Sequence, residues 1–142
     1  IAFDHVEAWE GGTTPAAFQA SVPAEFKSRV VFHQEWISSN PGTRPFIPTI
    51  IRQTTNVQDY VLFKLDIDSA TVETGTVMHL LSPEGAADLA HIDEFVWEHH
   101  VTNYIMEKWW GAHGVDPTFD IADSYQFFLE LRRRGVRAHS YV

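Results

Sequence analysis

Apolar positions along the chain fall into short, nearly continuous runs, separated by stretches with helical spacing. The clearest run is Tyr60–Ile67, whose unbroken apolar character predicts a strand covered on both faces. Ile1–Trp9, which stops at Gly11-Gly12, reads as a strand too, as do Arg29–Ile37, Phe95–Glu98 and Val136–Val142. Pro15–Lys27 reads as a helix with Thr14 as N-cap and Pro15 at its first position, ended or split by Pro23. Asp68 or Ser69 caps a helix through Leu81, with Val72, Thr76, Val77 and Leu80 on one face. Ser82-Pro83 opens a helical turn to about Ala90. In Asp120–Arg134, Ile121, Tyr125, Phe128 and Leu129 stand at helical spacing with Leu131 flanking, and Gly135 follows as the C′ residue. The stretch Ser38–Pro48 is loop-rich. Strands alternating with helices predict an α/β fold with a mainly parallel sheet, in one domain spanning residues 1–142.

Composition narrows the function classes. A 44% hydrophobic chain with five Trp packs a core, which excludes disorder. There is no cysteine, so thiolate ligands and Cys nucleophiles are excluded. No apolar run approaches the roughly 18–20 residues of a membrane span. Acidic residues outnumber basic ones 19 to 10, a balance that repels phosphate backbones and argues against a nucleic-acid partner. Arg132, Arg133, Arg134 and Arg137 gather near the C-terminus, where cations complement a helix dipole.

In an open α/β sheet, ligands bind beyond the carboxyl ends of the strands. Three of those ends are polar here: Glu10 before Gly11-Gly12, Asp66-Ile67-Asp68, and Glu98-His99-His100. Neighbouring strands lie about 4.8 Å apart, so the last two groups share a crevice if their strands are adjacent. Crowded carboxylates raise one another's pKa unless a cation intervenes, which predicts an imidazole or ion bonded to the set. A divalent metal held by Asp66, Asp68, Glu98 and His99 is one use of such a cluster. The plainer alternative makes Asp68 a helix cap and Glu98 a hydrogen-bonded strand end. His5, His33, His79, His91 and His113 show no ligand-like spacing, and Trp109-Trp110-Gly111 is a candidate pocket lining. Ser124 and Ser140 lie in no nucleophile-elbow context, and no Gly-x-Gly-x-x-Gly or Walker loop occurs.

Lys64-Leu65-Asp66-Ile67-Asp68 resembles the fourth-strand motif of the FkbM-like methyltransferases. Ala8-Trp9-Glu10 is similar to the second strand of that family, and Phe95–His100 to its fifth. The runs Lys64–Asp68, Asp93–Val101 and Arg137–Val142 look like a subgroup found in algae and other eukaryotic microbes. The resemblance implies a Rossmann-like, three-layer, S-adenosylmethionine-dependent O-methyltransferase acting on a hydroxyl of a small molecule or glycan. It also implies that Glu10 holds the cofactor ribose and that Asp66 and Asp68 orient cofactor and acceptor. Glu98, His99 or His100 would then be the general base. Ser69 stands where the family has glycine, and Glu73 lies further on than its usual acid.

Because Ile1 aligns with the second strand, the domain is expected to be incomplete at its N-terminus, without the glycine-rich cofactor loop. An open edge would then be covered. The expectation is that Ile1–Trp9 pairs with Tyr60–Ile67, or that a second copy or partner subunit supplies the missing strand. A noncatalytic assembly or binding subunit, and a divalent-metal-binding protein, are the alternative functions.

Overall fold

The computed structural model describes residues 3–102, 107–110 and 114–140, and the chain divides into two compact units, Ile1–Ile37 and Ser38–Val142. The first unit is a strand–helix–strand motif of β1 (Val6–Trp9), α1 (Pro15–Ser21) and β2 (Val30–His33). Thr14 caps α1 by accepting the Ala17 N–H at 3.3 Å, and Pro15 fills the first turn. The helix stops at Val22, because the residue before Pro23 is driven out of helical conformation. Phe18 stacks on Phe32 at 4.2 Å and fixes helix to strand.

β1 and β2 run parallel, from Val6 opposite Val30 to Trp9 opposite His33. This corrects the expected pairing of Ile1–Trp9 with Tyr60–Ile67. Closing the short loop through α1 costs less chain entropy than reaching a strand some fifty residues away.

The second unit contains α2 (Ile47–Thr54), β3 (Leu62–Leu65), α3 (Ala70–Leu81), α4 (Ala86–Leu89), β4 (Glu94–Trp97), α5 (Glu107–Trp110), α6 (Ile121–Arg133) and β5 (Arg137–Ser140). Its sheet has the order β3-β4-β5, all parallel, with Leu65 opposite Trp97 and Trp97 opposite Ser140. The α/β class and parallel strands follow the sequence reading. Phe95 and Trp97 on the central strand are fully buried, as are Leu80 of α3 and Leu131 of α6. A side chain the size of Phe95 stabilises the fold by up to about 3 kcal/mol when removed from water.

Three local expectations change. The Tyr60–Ile67 run is not covered on both faces: β3 is an edge strand of its sheet, with Phe63 and Leu65 buried but Leu62 and Lys64 exposed. The loop-rich stretch ends in a helix, since Phe46, Ile47 and Pro48 are buried and Pro48 is admitted in the first turn. The apolar row expected on α6 splits: Phe128 is buried, whereas Ile121, Tyr125 and Leu129 are 48%, 66% and 41% exposed. Phe128 and the flanking Leu131 carry the contact with the sheet, because each residue steps about 100° around the helix and the row is too wide for all of it to face inward. The ends of α6 do agree, with Asp120 and Asp123 in a reciprocal capping box and Gly135 at φ +95°.

Candidate functional site

The carboxyl ends of β3 and β4 are neighbours. Asp66 follows Leu65 and Glu98 follows Trp97, and the Glu98 N–H still donates to the Leu65 carbonyl at 3.3 Å. The two acids therefore stand on adjacent strands about 4.8 Å apart in the backbone. Asp66 is paired with Lys64 at 2.6 Å. Asp68 adopts a left-handed φ of +53°, while Ser69, where the resembled motif has glycine, is at −130°. Aspartate tolerates that region better than most residues. The chain thus turns one residue early, and Ser69 becomes the N-cap position of α3 without a side-chain cap bond.

Glu98 stands beside an imidazole. His100 Nε2 lies 3.2 Å from Glu98 Oε1, and His100 Nδ1 lies 2.8 Å from the Gly114 carbonyl oxygen. A carbonyl only accepts, so Nδ1 carries a proton, and in the neutral ring Nε2 offers a lone pair. A lone pair facing a carboxylate makes no hydrogen bond, and Nε2 is indeed a buried atom without one. One proton placed between Nε2 and Glu98 would satisfy both groups. Trp110 stacks on the His100 ring at 4.3 Å and fixes its plane.

His99 points the other way and is packed differently. It stacks on Trp97 at 3.9 Å, abuts Phe127 edge-on, and neither ring nitrogen has a partner. Burial lowers its pKa to about 4, outweighing the pull of Asp116. His99 is therefore a neutral imidazole packed among core aromatics. Among the described residues no three His, Asp or Glu side chains form a metal-ligand group, so Asp66, Asp68, Glu98 and His99 are not gathered as one.

Glu73 is the residue that sequence reading undervalued. It is 1% exposed on α3 and accepts the Ile67 N–H at 3.0 Å and Trp97 Nε1–H at 3.0 Å. One carboxylate thus ties the Asp66-Ile67-Asp68 turn to the central strand. Burial raises its pKa, although those two donors pull it down. The signal was present in the spacing Ala70, Glu73, Val77, Leu80, a carboxylate set within the buried stripe. Asp116 was missed as well: it accepts from Thr74 Oγ1 at 3.0 Å and the Thr118 N–H at 2.9 Å, and its own N–H donates to the His100 carbonyl.

In the first unit, Glu10 ends β1 and its Oε1 accepts the Gly12 N–H at 2.5 Å. A Cβ at Gly11 would lie 2.3 Å from the Trp36 ring, so only glycine lets the indole rest there. Of the remaining histidines, His5 and His33 both bind Glu7, and His79 binds Asp88. Of the Trp109-Trp110-Gly111 step, Gly111 and the Trp109 side chain lie outside the described residues, as does His113. No protein-family model, curated protein or solved structure matches the chain.

Proposed function

We propose that the protein is an S-adenosylmethionine-dependent O-methyltransferase-like domain of the FkbM-like type, acting on a hydroxyl of a small molecule or glycan. The observation that carries this reading is the Glu98–His100 pair, a proton acceptor at the carboxyl edge of a parallel sheet. A hydroxyl becomes a competent nucleophile only as it loses its proton. Glu98, with its side chain 19% exposed, takes that proton, and buried His100 Nε2 shares it. Asp66, on the adjacent strand, orients the acceptor and cofactor with Asp68. Trp97 and Glu73 hold this edge rigid.

Within the first unit, Glu10 has one carboxylate oxygen committed to Gly12, and the other has no partner among the described residues, so it can accept from a hydroxyl. When bound, the cofactor supplies the methyl group. The test is transfer of labelled methyl from S-adenosylmethionine to a panel of hydroxylated small molecules and oligosaccharides. Labelled product with the native chain and none with Glu98→Gln supports the reading, and no product across the panel counts against it. A divalent metal has weaker support, because the acids are not gathered as ligands. An assembly role is favoured by the outward row Ile121, Tyr125 and Leu129, and light scattering showing a stable oligomer that Tyr125→Glu dissolves would support it.

A further inference from the structure

A cavity of about 520 Å³ lies among α2, α3 and α4, lined in part by Thr49, Arg52, His79, Ser82, Glu84 and Asp88. His79 is nine residues along α3 from its first residue, about 14 Å from the strand-end acids at the rise of a helix, so this is a separate place. At its wall Asp88 is a buried carboxylate with a donor on each oxygen. Oδ1 receives Arg52 Nε–H at 2.6 Å, and Oδ2 receives His79 Nε2 at 2.8 Å and the Thr49 hydroxyl at 3.4 Å. An ionised carboxylate only accepts, so His79 carries a proton on Nε2, and in the neutral ring Nδ1 is an acceptor. Phe46, edge-on at 4.9 Å, holds the ring in place.

This arrangement commits Arg52 through Nε alone. Its two Nη groups remain, with four N–H donors in the planar fork that matches a carboxylate. Glu84, which is exposed, supplies a negative charge to the same cavity. A purely anionic ligand would meet Glu84 unfavourably, and a purely cationic one would meet the guanidinium. A ligand bearing both charges satisfies both walls. The volume falls in the range of small-molecule sites.

We propose that this cavity binds a small amino-acid zwitterion, its carboxylate on the Arg52 fork and its ammonium on Glu84 and His79 Nδ1. Asp88 is the positioning residue that aims Arg52 and His79. The inference does not depend on methyl transfer, and the two fail separately.

The experiment is an NMR titration of the full chain that follows the His79 ring protons. L-alanine and 4-aminobutyrate serve as short and long zwitterions, with acetate and methylammonium as their single-charge halves. The expected result is saturable shifts for at least one zwitterion, with a dissociation constant about tenfold below that of either half, one charged contact's worth. Arg52→Gln should abolish binding, but it also strips a partner from buried Asp88 and can unfold the unit. Glu84→Gln, at an exposed position, leaves the fold intact and should erase the advantage of the zwitterion over acetate. No saturable shift with either zwitterion, or a zwitterion preference that survives Glu84→Gln, would overturn the proposal.

Discussion

Replacing Glu73 by alanine removes the only acceptor of two donors at once. Trp97 Nε1–H is fully buried, and an orphaned buried donor costs about 1–3 kcal/mol. The Ile67 N–H is half-buried, so its loss belongs at the low end, about 1 kcal/mol. Relief from holding a desolvated carboxylate offsets part of this, as its raised pKa indicates. The net expectation is a loss of about 2–3 kcal/mol, a large share of a stability of about 5–15 kcal/mol. In urea, at a slope of about 2 kcal/mol per molar, the midpoint should fall by about 1–1.5 M.

Glu73→Gln should cost less, since one amide oxygen can still accept from one donor. Its pH dependence is diagnostic. The folded pKa of Glu73 is raised above the ordinary 4.5, so the folded state binds more protons and native stability falls as pH rises from 4.5 through the folded pKa. The glutamine variant lacks that loss, and its deficit relative to the native chain should shrink between pH 4 and pH 7. Tryptophan fluorescence during urea unfolding at both pH values gives both quantities. A deficit that grows with pH, or an alanine variant within about 0.5 kcal/mol of native, would refute the reasoning.

Other consequences can be checked in the same way. Gly135→Ala forces a side chain into φ +95° and should destabilise the second unit by about 1–2 kcal/mol, although nothing crowds the added carbon; urea unfolding measures it. Asp120→Ala removes the acceptor for the Ala122 and Asp123 N–H groups and should cost about 1 kcal/mol, seen as a lower thermal midpoint. Burial pushes the Glu7 pKa up, but its hydrogen bonds to His33 and His5 outweigh this and leave it below 4.5. The stability it contributes is present above pH 4.5 and lost as pH falls through the folded value, so Glu7→Gln should flatten acid unfolding of the first unit.

Much of the architecture was legible because it rests on local chemistry. Thr14-Pro15, Asp120 and Gly135 mark helix ends by capping and backbone geometry, which neighbours in space do not alter. The strand positions were legible for a similar reason, since apolar runs of four to eight residues leave few other options. Partners were harder. An apolar run looks the same on a central strand and on an edge strand, so Tyr60–Ile67 was placed too deep in the sheet. On α6 the row Ile121, Tyr125, Phe128 and Leu129 splits, and only contact with β4 and β5 selects Phe128 with Leu131 as the inward pair.

At the site, the meeting of Asp66 and Glu98 followed from parallel strands. The opposite fates of His99 and His100 did not, since alternation separates their faces without saying which face is closed by Phe127 and which by Gly114. Asp88, His79 and Arg52 come from three helices, and no spacing along the chain announces their meeting.

The central proposal is methyl transfer from S-adenosylmethionine, and cofactor binding is its first requirement. The direct measurement is a titration of the protein into S-adenosylmethionine carrying a ¹³C-labelled methyl group, followed by the methyl resonance. The account predicts a saturable shift or broadening that S-adenosylhomocysteine reverses and Glu10→Ala weakens. A methyl resonance unchanged with protein at about 1 mM, where even a dissociation constant worth only about 4 kcal/mol would register, would contradict it.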